Sequence, residues 1–115
     1  MLITYKSDYE KITMGLLSYL PDFRNLDNLK EEMHLNQVTP DFQLYLYQTG
    51  DDNKVGVVGV QVTEGFLVIR YLSLAPGYRD DHQRQIVVTE LMHEYPKRRV
   101  SALPEYSYLL KFATK

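Results

Sequence analysis

The nine-residue stretch Phe66–Leu74 limits the fold more than any other part of this sequence. Its pattern predicts a strand with apolar side chains on both faces, Leu67 and Ile69 on one and Val68 and Leu72 on the other. A strand that is apolar on both faces lies inside a sheet that is covered on both sides. We therefore expect helices on both faces of the sheet that contains this strand.

Other segments carry the β-strand pattern, and the turns between them predict antiparallel hairpins. The phase of the valines in the third strand slips between Val57 and Val58, which predicts a β-bulge there. Gly50 to Asn53 and Glu64-Gly65 supply the turns. The predicted additional strands are residues 1–5, 42–47, 55–62 and 99–103.

Helical spacing fills the rest of the chain. Ser7 and Glu10 form a capping-box pattern for a first helix, Asn25 can cap a second, and Asp80 or Asp81 can cap a third. A last helix starts at Pro104. The predicted inward faces are Tyr9, Ile12, Leu16 and Leu20; Leu26, Leu29 and Met33; Val87, Val88, Leu91, Met92 and Tyr95; and Tyr106, Leu109, Leu110 and Ala113.

This order of elements predicts one α+β domain over residues 1–115, with a mixed, mostly antiparallel sheet. The strand at 99–103 follows Phe66–Leu74 through a helix, so these two strands should be parallel.

Composition and charge exclude several functions. The chain has no cysteine, which excludes a thiolate nucleophile and a cysteine-ligated metal. A net charge of −2 leaves no overall basic footprint for nucleic acid, and no apolar run is long enough for a membrane span. His34, His82 and His93 lack metal-ligand spacing, so we expect no metal. The amino terminus lacks a signal-peptide pattern, which predicts a cytoplasmic protein.

The segment after the central strand has the features of an anion site. Leu74 ends the strand, a Pro-Gly loop follows, and Arg79 precedes a helix start whose N–H groups and dipole favour an anion. Arg84 adds positive charge, and the two aspartates at 80 and 81 subtract it. A helix capped by its own aspartates, with no ligand, is the alternative.

The element order and three segments, MLITYKSDYEKITMGLLSYLP, VGVVGV and IRYLSLAPGYR, resemble the GNAT superfamily of N-acetyltransferases. Within it the chain is most similar to the RibT proteins of bacterial riboflavin operons. The resemblance implies a GNAT-like fold that is truncated at its carboxyl end by two strands, and leaves room for a homodimer that covers the open sheet edge.

The same resemblance implies acetyl-CoA as co-substrate and an amine, on a small molecule or a protein, as acceptor. The end of the strand at Leu74 and the loop would hold the pyrophosphate, beginning with Arg79. His82 and Arg84 stand where the family has glycines, and Val68 stands where many members have a glutamate base. Leu110 takes the place of the tyrosine that protonates the departing thiolate, which leaves Tyr106 and Tyr108 as candidate acids.

Three functions remain open on this basis. The first is acyl-CoA-dependent N-acetyl transfer of the RibT type. The second is a GNAT-like domain that has lost acetyl-CoA and acts as a binding or structural partner, as the missing glycines favour. The third is a sensor of a small ligand in the sheet crevice.

Overall fold

A computed structural model describes residues 1–113 as a five-stranded sheet with helices on both faces. The strands lie in sequence order across the sheet. The first four pair antiparallel and the fifth pairs parallel to the fourth, which confirms the predicted α+β architecture and crossover. The strands are β1 (Leu2–Thr4), β2 (Phe42–Gln48), β3 (Lys54–Val62), β4 (Phe66–Leu74) and β5 (Arg99–Ala102).

Within residues 1–113, three α-helices and three 3₁₀ segments connect and cover these strands. The 3₁₀ segment Pro21–Phe23 is called the Pro21 turn below, and Pro104–Ala113 is called the C-terminal 3₁₀ helix. The others are α1 (Glu10–Leu17), α2 (Leu26–Val38), α3 (Asp81–Glu94) and a short 3₁₀ turn, Ser7–Tyr9.

Each face of the sheet has its own apolar core. Helices α1 and α2 pack on one face through Leu16, Leu17, Leu29 and Met33. On the other face lie α3 and the C-terminal 3₁₀ helix. Their buried contacts are Val87, Val88, Leu91 and Leu109. The double-sided apolar pattern of β4 thus predicts the layers correctly.

The predicted start of the first helix is wrong, and its predicted inner face is confirmed at Tyr9, Leu16 and Leu20 but not at Ile12. Ser7 makes no capping hydrogen bond, and α1 begins only at Glu10 after a 3₁₀ turn. Ile12 is 40% exposed, whereas Thr13 and Leu17 are fully buried. Thr13 therefore takes the buried position that the spacing gave to Ile12.

In α2 the cap is confirmed, but the buried stripe differs from the prediction. The Asn25 side chain accepts hydrogen bonds from the N–H groups of Asp27 at 2.8 Å and Asn28 at 3.2 Å. Leu26 is 54% exposed, while Glu32 is buried beside Leu29. A charged residue therefore occupies the core side of this helix.

The bulge lies on β4 and not between Val57 and Val58. Gly59 pairs with Tyr71 and Val60 pairs with Ile69, so Arg70 is the additional residue. Val57 and Val58 keep their register with β4, and the interruption there belongs to the facing strand. Strand β3 has a separate irregularity against β2 at Val55, because Tyr47 pairs with Gly56 and Gln48 pairs with Lys54.

Toward the carboxyl end, α3 follows the prediction. The last helix starts at Pro104 and turns Tyr106, Leu109 and Ala113 inward as predicted, but not Leu110. The Asp80 carboxylate caps α3 through the N–H of Gln83 at 3.0 Å. The last segment is a 3₁₀ helix, in which Tyr106, Leu109 and Phe112 pack inward. Their three-residue spacing matches the three residues per turn of a 3₁₀ helix.

Candidate functional site

The candidate site is the fork where β4 separates from β5. The two strands pair from Phe66 to Ile69, and the N–H of Leu103 still donates to the carbonyl of Ile69 at 2.9 Å. Arg70 then bulges, and β4 continues to Leu74 without β5 beside it. The backbone edge of the last five residues of β4 therefore faces a cleft.

At the far end of the cleft, two arginines surround the start of α3. The Nε of Arg79 donates to the carbonyl of Leu74 at 2.7 Å, and its guanidinium stacks over Tyr19 at 5.0 Å. The guanidinium of Arg84 reaches back to the carbonyl of Arg79 at 2.9 Å. The predicted residues Leu74, Arg79 and Arg84 thus lie together. Gly77, with φ of +91°, makes the turn that brings them there.

The two aspartates of this loop have different partners. Asp80 caps α3, and Asp81 pairs with Arg84 at 3.0 Å and with Lys111 at 3.3 Å. The hydrogen bonds from Lys111 and Arg84 lower the pKa of Asp81. His82 is exposed at the helix start, next to this group. Asp80 thus caps the helix, as the alternative of a self-capped helix predicts. Arg79 and Arg84 nevertheless face the cleft, where an anion could bind.

A cavity of about 190 Å³ connects this end to the open edge of β4. Tyr108 lines it opposite Ser73 and the two arginines. The Ser73 hydroxyl donates to the carbonyl of Leu16 at 2.5 Å, which fixes the end of β4 against α1. We call this the loop-side cavity.

A second cavity, of about 370 Å³, lies at the bulge end of the fork. Its walls are the Pro21 turn, the bulge and the start of the C-terminal 3₁₀ helix. Asp22 and Glu105 contribute carboxylates, and Tyr106 contributes a hydroxyl. We call this the bulge-side cavity.

Tyr106 and Tyr108 therefore face different cavities, although their ring centres are 6.3 Å apart. Tyr108 is 47% exposed. Burial raises the pKa of Tyr106 to about 12, with smaller contributions from the charges of Tyr108, Asp22 and Glu105. Tyr106 therefore keeps its proton at neutral pH, as an acid must. Leu110 is half-buried and does not line either cavity.

Sequence reasoning missed a buried cluster at the bulge. Glu32 accepts hydrogen bonds from both terminal nitrogens of Arg70, at 2.6 and 2.8 Å, and from the Tyr71 hydroxyl at 2.7 Å. Asn36 adds another at 2.6 Å. The available signal was a pair of opposite charges, one in the apolar stripe of α2 and one in the apolar strand β4.

Gly59 makes this cluster sterically possible. A Cβ at this position would lie 2.2 Å from Cζ and 2.5 Å from Cε1 of Tyr71. The ring of Tyr71 crosses β3 over this glycine to reach Glu32. The second glycine of the VGVVGV segment therefore leaves the space in which the Tyr71 ring packs.

Further predictions concern Val68, a metal site and a membrane span. Val68 pairs with Gln61 and Ser101, and its side chain cannot accept a proton. Within residues 1–113 no cluster of three or more potential metal ligands is found. No helix in this part of the chain is long and apolar enough to cross a membrane.

Solved structures that are similar to this one include acetyltransferases. The structure matches an aminoglycoside 6′-N-acetyltransferase from Acinetobacter baumannii with a TM-score of 0.72 at 11% identity, over 100% of this chain and 90% of that one. It matches the spermidine N-acetyltransferase from Vibrio cholerae in complex with CoA and spermine with a TM-score of 0.68 at 10% identity, over 96% and 77%. At these identities the matches establish the fold.

A sequence relative defines the family. No protein-family model matches this sequence. The chain is 35% identical over 101 residues to an uncharacterised N-acetyltransferase encoded in the lysA 3′ region of Bacillus methanolicus, covering 87% of this chain and 83% of the relative. This protein therefore belongs to the GNAT-type N-acetyltransferases. The alternative of a GNAT-like domain that has lost acetyl-CoA and acts as a binding or structural partner is not favoured.

Proposed function

We propose that this protein transfers an acetyl group from acetyl-CoA to a small-molecule amine at the fork of β4 and β5. The observation that carries the proposal is the open backbone edge of β4 between two cavities of different charge. Arg79 and Arg84 lie at the loop-side cavity. Asp22 and Glu105 lie at the bulge-side cavity, where the guanidinium of Arg70 is paired with Glu32. A polyanionic co-substrate and a cationic acceptor could therefore approach the same strand from opposite ends.

On the co-substrate side, the pyrophosphate would bind at the start of α3. Arg79, Arg84 and the backbone around His82 supply the donors, where the family pattern uses glycines. Guanidinium groups make charge-assisted, bidentate contacts with phosphate, which offers a replacement for a glycine-lined cradle. A solved neighbour, an aminoglycoside N-acetyltransferase in complex with CoA with a TM-score of 0.68, supports CoA as the carrier of the acetyl group.

On the acceptor side, the bulge-side cavity suits an ammonium-bearing molecule. Asp22 and Glu105 have no ion-pair partner within residues 1–113 and stand near the Tyr106 hydroxyl. The neighbours named for spermidine and aminoglycosides act on amines, which supports an amine acceptor here.

The reaction would proceed by direct attack. The uncharged acceptor nitrogen forms a bond to the thioester carbonyl carbon, the carbon–sulfur bond breaks, and the nitrogen releases its proton to solvent water. The CoA thiolate takes a proton from Tyr108 or Tyr106. The tyrosinate is then reprotonated by solvent.

The finer assignment to the RibT proteins is part of this proposal and rests on the three sequence segments quoted above. It makes amines of riboflavin synthesis the first acceptors to test. A cytoplasmic location and a homodimer are further expectations of the same kind.

Titration with acetyl-CoA in a calorimeter tests the co-substrate, with desulfo-CoA and ATP as comparison ligands. We expect a micromolar dissociation constant, ~8 kcal/mol of binding. We expect Arg79→Ala to weaken it by at least about tenfold, because that change removes a charged phosphate contact. An absence of heat up to millimolar acetyl-CoA would contradict the proposal and return the domain to the class of binding partners.

Single-turnover acetyl transfer tests the acid. Tyr106→Phe and Tyr108→Phe each remove one hydroxyl and keep the ring. We expect one of them to lower the rate by roughly 10²- to 10⁴-fold, as loss of a general acid does. Full activity in the double variant would rule out both tyrosines.

A further inference from the structure

The fork contains one charged group that the proposed reaction does not use. Glu32 is only 6% exposed and lies on α2, but most of its donors come from β4. Burial raises the pKa of Glu32, and hydrogen bonds from Arg70, Tyr71 and Asn36 together with the charge of Arg70 outweigh that effect, so the pKa is lowered. Glu32 is therefore ionised at neutral pH. Its lowered pKa and the four hydrogen bonds that it already accepts make it a poor candidate for the missing base.

The stability of the fold does not by itself require a buried ion pair of this kind. Replacing such a pair by apolar side chains is often neutral or stabilising, because the desolvation of both charges is avoided. The pair here is also placed at a particular point. Arg70 is the bulge residue, directly after the last pairing of β4 with β5 at Ile69.

The bonds of Glu32 fix two walls of the bulge-side cavity. Arg70 and Tyr71 both line this cavity. Tyr71 also meets Phe23 of the Pro21 turn edge to face, with ring centres 5.3 Å apart. The loop-side cavity, by contrast, contains none of the four residues of the cluster.

We propose that Glu32 is a positioning residue for the acceptor: it holds Arg70 and Tyr71 at the β4 bulge and thereby keeps the bulge-side cavity in its open shape. This role rests on the proposed function, since it concerns the acceptor half of the same site. It differs from a general structural role because it acts on one cavity and leaves the co-substrate side unchanged.

The first measurement needs no ligand. Amide exchange is followed at Phe23, whose N–H bonds to Leu20, and at Leu103, whose N–H bonds to Ile69. Tyr5, whose N–H bonds to Leu44, is the distant reference. We expect Glu32→Gln to speed exchange at Phe23 and Leu103 by at least about tenfold relative to Tyr5, as local opening does.

Two further variants separate positioning from stability. Glu90→Gln is the matched control, because Glu90 also loses an ion pair, with the terminal ammonium at 3.1 Å, but lies on α3. The double variant Glu32→Gln with Arg70→Met leaves no unpaired buried charge, so it should fold even where Glu32→Gln does not. We expect the double variant to show fast exchange at Phe23 and Leu103 although its global stability is restored. Glu90→Gln should exchange at these two amides as the wild-type protein does.

The second measurement uses acetyl-CoA with spermidine and with neamine as acceptors. We expect Glu32→Gln to lower kcat/KM for the acceptor by roughly 10- to 100-fold, as small misplacements in a site do. The dissociation constant of acetyl-CoA should stay within about twofold of wild type.

Unchanged exchange at Phe23 and Leu103 would overturn the proposal, and so would an equal loss of acetyl-CoA binding and acceptor turnover. Failure of the proposed function has a different signature, because the wild-type protein itself would then bind no acetyl-CoA. In that case the exchange measurement alone decides whether Glu32 holds the fork.

Discussion

At the scale of single residues, the site depends on what one side chain leaves room for. Gly59 has no side chain, so the ring of Tyr71 crosses the sheet there and meets Glu32. Arg70 occupies the bulge and completes the same cluster. One glycine therefore determines whether the α2 side of the fork can be built at all.

Substitution of this glycine should be severe. We expect Gly59→Ala to lower the free energy of unfolding by roughly 1–3 kcal/mol, because the added methyl overlaps a ring that Glu32 holds in place. Urea unfolding followed by circular dichroism measures it.

Gly15→Ala is the matched control, since a Cβ there meets nothing within 4 Å and the residue lies inside α1. Alanine should stabilise that helix by up to about 1 kcal/mol. Equal effects at the two glycines would contradict the close contact with Tyr71.

A second residue-scale prediction concerns Asp81. Its carboxylate pairs with Arg84 and Lys111 at the place proposed for pyrophosphate and would repel that anion. We expect Asp81→Asn to lower the dissociation constant of acetyl-CoA up to about fivefold, in keeping with the small energies of exposed ion pairs. Calorimetry in low salt measures the change.

Asp27→Asn provides the comparison, because Asp27 also lies in the first turn of a helix, α2, away from the loop-side cavity. It should leave the affinity unchanged. Weaker binding by Asp81→Asn would show that this carboxylate helps to build the site.

At the scale of elements, the ends of the helices differ in how their backbone groups are satisfied. Asn25 and Asp80 provide side-chain caps for α2 and α3, whereas α1 begins from a 3₁₀ turn without one. The capping-box pattern of Ser7 and Glu10 is present in the sequence and unused in the structure. Asn25 and Asp80 themselves have extended backbone, whereas Tyr9, the residue that precedes α1, does not.

The used cap at Asn25 and the unused cap pattern at Ser7 give a paired prediction. We expect Asn25→Ala to lower the free energy of unfolding by about 1 kcal/mol, because two N–H groups lose their acceptor. Ser7→Ala should change it by less than about 0.5 kcal/mol, as a typical surface substitution does. Urea unfolding of both variants measures the difference. A larger loss of stability for Ser7→Ala than for Asn25→Ala would contradict the absence of a cap at Ser7.

At the scale of the whole molecule, tyrosines tie the sheet to the helices on both faces. The hydroxyls of Tyr45 and Tyr95 are 2.5 Å apart, and Tyr47 donates to Gln83 at 2.5 Å. Burial raises the pKa of Tyr45, with a contribution from the hydrogen bond to Tyr95. Burial, followed by the charge of Glu90, does the same for Tyr47, and burial and the charge of Glu32 do so for Tyr71.

These shifts predict loss of stability in alkali. A tyrosine whose pKa is raised in the folded state holds its proton there after the unfolded chain has released it. Unfolding is therefore increasingly favoured as the pH rises above about 10, the ordinary pKa of tyrosine. For Tyr106 this window extends to about 12.

Urea unfolding between pH 8 and 11, with tyrosinate absorbance recorded in parallel, measures the effect. The free energy of unfolding should be constant up to about pH 9 and fall above it. Stability that is independent of pH to 11 would contradict the burial of these hydroxyls.

Much of the fold could be predicted from the sequence because it depends on local patterns. The alternating strands, the crossover to β5, the Asn25 cap and the loop after Leu74 follow from residue spacing. The burial of Thr13 in place of Ile12, the 3₁₀ form of the last helix and the position of the bulge do not. Each of these depends on which partner an element meets, and hydrophobic period alone leaves a rotation or a register open.

For the site, the sequence by itself determined the chemistry available: two arginines and two aspartates at a helix start, two tyrosines near the end, and no base on β4. Only the tertiary structure decided which of them meet. It placed Tyr106 and Tyr108 in separate cavities and brought Glu32 from α2 to Arg70 and Tyr71, 38 and 39 residues away along the chain. The physical reason is that a buried charge must find its partner across the core, and sequence spacing carries no information about contacts between distant elements.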